Sequence, residues 1–257
     1  YDAATPITAP PPLPEIAVVG IDDASLAALG SLASGPGSRE LYARLIDQLA
    51  SAGARTIALT PSFAEPQPDQ GLAHLRKMRE TLARAADPSP LAAELARMVD
   101  EAHSAVDGDA RLAASIQRAG NVFLTSRYAL AGGAGTPLPA YAHRSVLPDP
   151  SGMAVTATSA RHPAEALGSV AAGVGHHTVI EDEDGNLRRV PLVLRYDNVG
   201  IPALAVLVAR HSLHLGQDQV SAQAAPNQVR IGGLNLATDG SGFMRPLACE
   251  PLRCGSH

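Results

Sequence analysis

The stretch from residue 16 to residue 65, IAVVGIDDASLAALGSLASGPGSRELYARLIDQLASAGARTIALTPSFAE, decides the fold. It opens on an apolar run, Ile16 to Ile21, that stops at Asp22 and Asp23. An amphipathic segment follows, in which Leu41, Leu45 and Leu49 recur every four residues with Ile46 on the same side, and Gly53 closes it. A second apolar run, Thr56 to Thr60, comes directly after. Continuous apolar runs flanking a helical period predict strands buried on both faces and joined by a crossover helix. In such folds ligands gather at the carboxyl ends of the strands. Here those ends hold Asp22, Asp23, Ser62 and Glu65.

Outward from this stretch, the chain reads as an α/β single domain with a partly parallel central sheet, crossover helices and an antiparallel hairpin in the second half. Strands are expected at Ile16–Ile21, Thr56–Thr60, Asn121–Ser126, Val170–Thr178 and Leu187–Tyr196, the first three parallel. Residues 1–15, with five prolines, form a stiff extended lead-in. The body is 16–245, and 246–257 is a tail carrying two cysteines. Helical periods cover Gln70–Ala86 and Pro90–Val106, separated by the Asp87-Pro88-Ser89-Pro90 breaker, and then Asp109–Ala119 up to Gly120. Residues 129–165, rich in Gly, Pro, Ala and Ser, are expected to be irregular. Glu181-Asp182-Glu183-Asp184-Gly185-Asn186 is the expected turn between the fourth and fifth strands. Pro202–Leu215 reads as an apolar helix, and Val229–Ile231 with Leu234–Ala237 as a last hairpin around Gly232-Gly233.

Composition narrows the function classes. A chain of 257 residues is long enough for one sizeable core. Aromatics make up 3% with no Trp, so Ala, Leu and Val must build that core. The net charge of −5 and the absence of a basic, aromatic-interleaved patch exclude nucleic-acid binding. No run of 18 apolar residues exists, so nothing in the sequence reads as a membrane span. The start at Tyr1 reads as an excised or processed fragment.

Motifs of catalysis are missing: no Gly-x-Ser-x-Gly, no His-Glu-x-x-His, no phosphate loop and no GxGxxG after a strand. The acidic run 181–184 lacks the spacing and the distal Glu of a calcium loop. His176 and His177 are strand neighbours and point to opposite faces, so they do not converge on one ion; His176 is expected buried. No cofactor and no metal site is predicted. Cys249 and Cys254 are either two free thiols in a frayed tail or, in an oxidising compartment, a small disulfide loop.

Four segments, in order, resemble a known family. They are VVGIDDASLAALG with the Arg-led helix ending LASAGARTIALTPSFAEP, then ARLAASIQRAGNVFLTSRY at 110–128. GVGHHTVIEDEDGNLRRVP and PALAVLVAR follow within 173–210. Together they resemble CHASE2 domains, the extracytoplasmic input modules of bacterial membrane-bound signalling proteins. The chain departs from the family pattern before the helix Arg, with Ser34-Gly35-Pro36-Gly37-Ser38, and at Thr60, where an Asp is usual.

The resemblance implies a non-enzymatic sensor on the periplasmic face of the inner membrane, part of an integral membrane protein. It also implies flanking transmembrane helices, a cytoplasmic kinase, nucleotide cyclase or similar output, and a homodimer. The alternatives are a dimerisation scaffold without a ligand, and an α/β hydrolase-like enzyme or solute-binding protein using Asp22, Asp23 and His176. The expected site for an unknown small molecule or ion is lined by Asp22, Asp23, Arg39 and Glu65, with His176 and Arg188 contributing. Against that stand ordinary structural roles: Asp23 as a helix cap, and Arg39 or Arg188 in a salt bridge with a carboxylate such as Asp22 or Asp184.

Overall fold

The computed structural model describes residues 15–29, 38–66, 70–85, 89–133, 135–148, 154–182, 184–223 and 227–246. The Pro-rich lead-in up to residue 14 and the tail with Cys249 and Cys254 lie outside the described residues. In chain order the first half runs α1 Asp23–Leu29, α2 Arg39–Ser51, β1 Ile57–Ala58, α3 Gln70–Ala85, α4 Pro90–Val106, α5 Gly108–Ala119 and β2 Val122–Ala129. After a 3-10 turn at Ala140–Ser145 come β3 Val155–Thr156, β4 Ser159–Arg161, α6 Glu165–Gly168 and β5 Gly173–His176. The last part holds β6 Val190–Pro191, β7 Val193–Tyr196, β8 Val199–Pro202, α7 Leu204–Ser212, β9 Val220–Gln223, β10 Gln228–Ile231, β11 Leu234–Ala237 and β12 Phe243–Met244.

The architecture is mixed α/β around β2. This strand pairs in parallel with β1 on one side and β5 on the other, and antiparallel with β4 along its far end. Its residues alternate between two apolar layers. Val122 and Leu124 join Ile46, Leu112 and Ile116 beneath α2 and α5, all 0% exposed. Phe123 turns the other way, onto Leu204 and Leu207 of α7. Each such side chain contributes about 1.5–3 kcal/mol by leaving water, so β2 is the strand on which the fold depends. A separate cluster, including Val193, Val206, Val220, Val229 and Ile231, closes the C-terminal half.

The crossover helices are held in register by charge. Arg39 pairs with Asp109 (2.6 Å), Glu40 with Arg111 (3.1 Å) and Asp47 with Arg118 (2.9 Å). The partners are 70, 71 and 71 residues apart in sequence. A constant offset means that α2 and α5 lie parallel, each leading into its own parallel strand. Helix boundaries follow local chemistry. Ser89 accepts from the Ala92 N–H with Pro90 at the first helical position, Asp107 accepts from the Ala110 N–H, and Gly120 ends α5 at φ 69°.

Two expectations change. Residues 16–22 form no regular strand, and Ile16, Val18 and Val19 are 61%, 70% and 53% exposed; Ile21 alone of this run packs on the core. The regular part of β1 is two residues long, too short an edge to recruit a full neighbouring strand. The hairpin expected between 170–178 and 187–196 is also displaced. β5 pairs with β2, whereas β7 turns through Asp197 and Asn198 into β8. Both turn residues have positive φ, 50° and 60°, the geometry of a tight two-residue hairpin loop. The acidic run keeps a local turn, with one isolated bridge between Ile180 and Arg189. The last hairpin, β10–β11 through Gly232 and Gly233, forms as expected.

Candidate functional site

The carboxyl ends of the parallel strands gather a buried polar cluster. Ser126, where the parallel part of β2 ends, stands in register opposite His176, the last residue of β5. His162 follows β4 and brings its Nδ1 to 2.9 Å from the Ser126 hydroxyl. Ser62 follows β1, and the neighbouring Phe63 carbonyl accepts from the Ala164 N–H, tying this loop to the His162 segment. Tyr128 lies between the imidazoles, its ring centroid 5.8 Å from His162 and 6.5 Å from His176, and meets Tyr196 edge-on at 5.2 Å.

His176 is 2% exposed. Its Nδ1 accepts from the Thr178 N–H at 3.2 Å, so in the neutral ring the proton sits on Nε2. That Nε2 is buried and has no hydrogen-bond partner in the protein. An unsatisfied buried donor costs about 1–3 kcal/mol. Burial, helped by the neighbouring His177, pushes the His176 pKa down to about 3, and burial also lowers that of His162. The Nε2 of His162, the Ser62 hydroxyl and the Thr178 hydroxyl are likewise buried without partners. Burial raises the Tyr128 phenol pKa, against an opposing hydrogen bond with Ser126. Four buried polar groups at the strand ends thus have no partner in the protein, and burial favours the neutral form of the two rings among them.

The six residues expected to line a site have different settings. Asp22, exposed, accepts from the Ser25 N–H (2.8 Å) and hydroxyl (2.6 Å), which hold its carboxyl below the usual range. It therefore caps α1, and Asp23, the residue expected from sequence to be the cap, is the first helical residue. Arg39 is 6% exposed. It donates to Asp109 and to the Glu65 carbonyl (2.5 Å) and lies over the Phe63 ring at 4.6 Å. The Glu65 carboxylate points outward to Arg161, both side chains exposed. Arg188 closes the acidic turn on Asp184 (2.6 Å) and Asp182 (3.3 Å), and together with Asn186 it drives the Asp184 carboxyl well below its usual range. Of the six, His176 belongs to the buried cluster. His177, just past the end of β5, is exposed.

Sequence reading missed His162, Ser126, Tyr128 and Tyr196. Ser126 and Tyr128 share one face of β2 by their spacing, which was a usable signal. His162 sits just after β4, in the stretch expected from sequence to be irregular, and carried none. Ser126 with His162 has the outline of a nucleophile and base, yet the second ring nitrogen of His162 has no partner, so no carboxylate orients it. Ser126 is also 1% exposed. Among the described residues, no group of three or more His, Cys, Asp or Glu could hold a metal ion. No helix among them is long and apolar enough to cross a membrane.

The family model for the CHASE2 domain matches residues 1–248. The chain belongs to the CHASE2 family, a family of sensor domains in signalling proteins. No curated protein and no solved structure matches it.

Proposed function

We propose that this chain is the extracytoplasmic, periplasmic input domain of a transmembrane bacterial receptor. In this reading it acts as a homodimer, with flanking membrane helices passing its state to a cytoplasmic kinase, nucleotide cyclase or similar output. The observation that carries the sensing part is the buried Nε2–H of His176, which has no acceptor at the ends of two parallel strands. A ligand that accepts from His176 and bonds to His162, Ser62 or Thr178 would satisfy groups that have no partner in the protein. These groups carry no charge, so the ligand class is a small, uncharged hydrogen-bonding molecule. Preferential binding to the state in which these groups converge shifts the receptor's equilibrium.

The test is a full-length receptor carrying His176→Leu, with its output measured beside the thermal stability of this domain. Loss of response at unchanged stability supports the reading, and a normal response refutes it. A topology reporter active only outside the cytoplasm, fused in place of this domain's C-terminus, checks the compartment; a reporter active only inside contradicts it.

A further inference from the structure

We propose that the outer face of the α3–α4 hairpin is a self-association surface that binds the same face of a second copy of this chain. The hairpin projects a continuous apolar stripe. On α4, Leu91, Leu95, Met98 and Val106 fall on one side by helical spacing and are 66%, 43%, 55% and 39% exposed. The seam against α3 lies elsewhere: Val99 is the buried residue of α4, and Leu72 that of α3. Arg79 and Asp100 approach to 4.0 Å across the seam. At about 100° per residue, Met78, 53% exposed, lies on the opposite side of the seam from that pair, the side that carries the α4 stripe.

Charge selects the occupant. α3 carries four cations (Arg76, Lys77, Arg79, Arg84) and one carboxylate, Glu80; α4 carries three carboxylates (Glu94, Asp100, Glu101) and one cation, Arg97. Arg84–Glu80, Arg97–Glu101 and Arg79–Asp100 pair within the hairpin. That leaves Arg76 and Lys77 on α3 and Glu94 on α4 without an ion pair among the described residues. In a two-fold arrangement α4 of each copy lies on α3 of the other, so Lys77 meets the partner's Glu94 twice by symmetry. The apolar stripe then fills the centre and the charges form the rim. A basic or an acidic foreign helix would match one of the two helices, whereas a second copy matches both.

Size sets the strength. Helices of 16 and 17 residues are about 25 Å long, so the face offers about 500 Å² per copy. A standard stable interface needs about 800 Å² per partner. The contact is therefore weak alone and is strengthened when membrane anchoring raises local concentration. The surface supplies an interface for the homodimer of the receptor reading above, and its use in signalling rests on that reading.

The experiment is sedimentation equilibrium of this chain across the micromolar range. The wild type is expected to dimerise reversibly and more weakly in high salt. Leu95→Asp should raise the dissociation constant about tenfold or more. Lys77→Glu and Glu94→Lys should each weaken association, and the two together should restore it. Leu91→Gln, at a more exposed position, serves if Leu95→Asp loses its circular dichroism signature. A monomer throughout the range, or dimers of unchanged strength in these variants, overturns the proposal. His176→Leu should dimerise like wild type, which separates failure of this surface from failure of the ligand site.

Discussion

Ser126 and His176 are register partners on the parallel strands β2 and β5, and both side chains are almost fully buried. Ser126 is engaged by His162 and the Nδ1 of His176 by the Thr178 N–H, while both imidazole Nε2 atoms remain without partners. A fold that keeps two neutral imidazoles in its interior makes itself sensitive to acid.

The sign follows from the direction of the shift. His176 has a folded pKa of about 3 against an ordinary value of 6.5, so the unfolded chain binds the proton more readily. The stabilising effect of the neutral ring is complete above pH 6.5 and is lost as pH falls from there toward 3. Denaturant unfolding should show stability falling by about 1.4 kcal/mol per pH unit between pH 6 and pH 4.5 for one such group. His162 steepens the slope, since burial lowers its pKa too. His176→Leu should flatten the slope over this window; an unaltered slope would show that the proton acts elsewhere.

Arg39 is predicted to be structural. Its guanidinium and the Asp109 carboxylate are 7% and 18% exposed, and they fasten the first turns of α2 and α5. Removing one partner leaves a charge in the interior, so Arg39→Ala should cost about 3–5 kcal/mol. The double variant with Asp109→Ala should cost less than the sum of the two single changes. Additive losses would contradict a direct pair.

Gly168 gives a packing test. A Cβ at this position would enter the Tyr141 ring, whose hydroxyl donates to the Pro163 carbonyl. Gly168→Ala should destabilise by about 1–3 kcal/mol in denaturant titration. A neutral outcome would mean that the ring can move aside.

Asp22→Ala should behave differently. The carboxylate is exposed and serves its own short helix. Receptor output should persist and the global melting transition should stay in place, with change limited to amide protection in residues 23–29. Loss of output would return Asp22 to the list of signalling residues.

Much of the fold was legible because local rules and tertiary packing agree. Ser89 and Pro90 announce α4, and the unbroken run after Asn121 announces β2. Ile16–Ile21 misled because apolarity shows that a run wants burial but does not supply a neighbouring edge. The hairpin was displaced because Gly185 is the conspicuous turn residue, whereas Asp197 and Asn198 take positive φ without glycine. The site was half legible. His176 falls at a strand end, but His162 becomes its neighbour through the antiparallel pairing of β4 with β2, a long-range contact with no periodic trace in sequence. Arg39, Asp22 and Arg188 each have a partner in the fold, which residue type alone does not announce.

The central claim is that the unsatisfied Nε2–H of His176 is kept for a ligand. Leucine removes the orphaned donor, which is stabilising, and also the Nδ1 acceptor of the Thr178 N–H, which is destabilising by a similar amount. The decisive measurement is therefore the output of the full-length receptor with His176→Leu, read beside the melting temperature of the same variant. A lost response with a melting temperature close to that of the wild type is expected. A variant that still responds, or one whose lost response follows a matching fall in melting temperature, would contradict the claim.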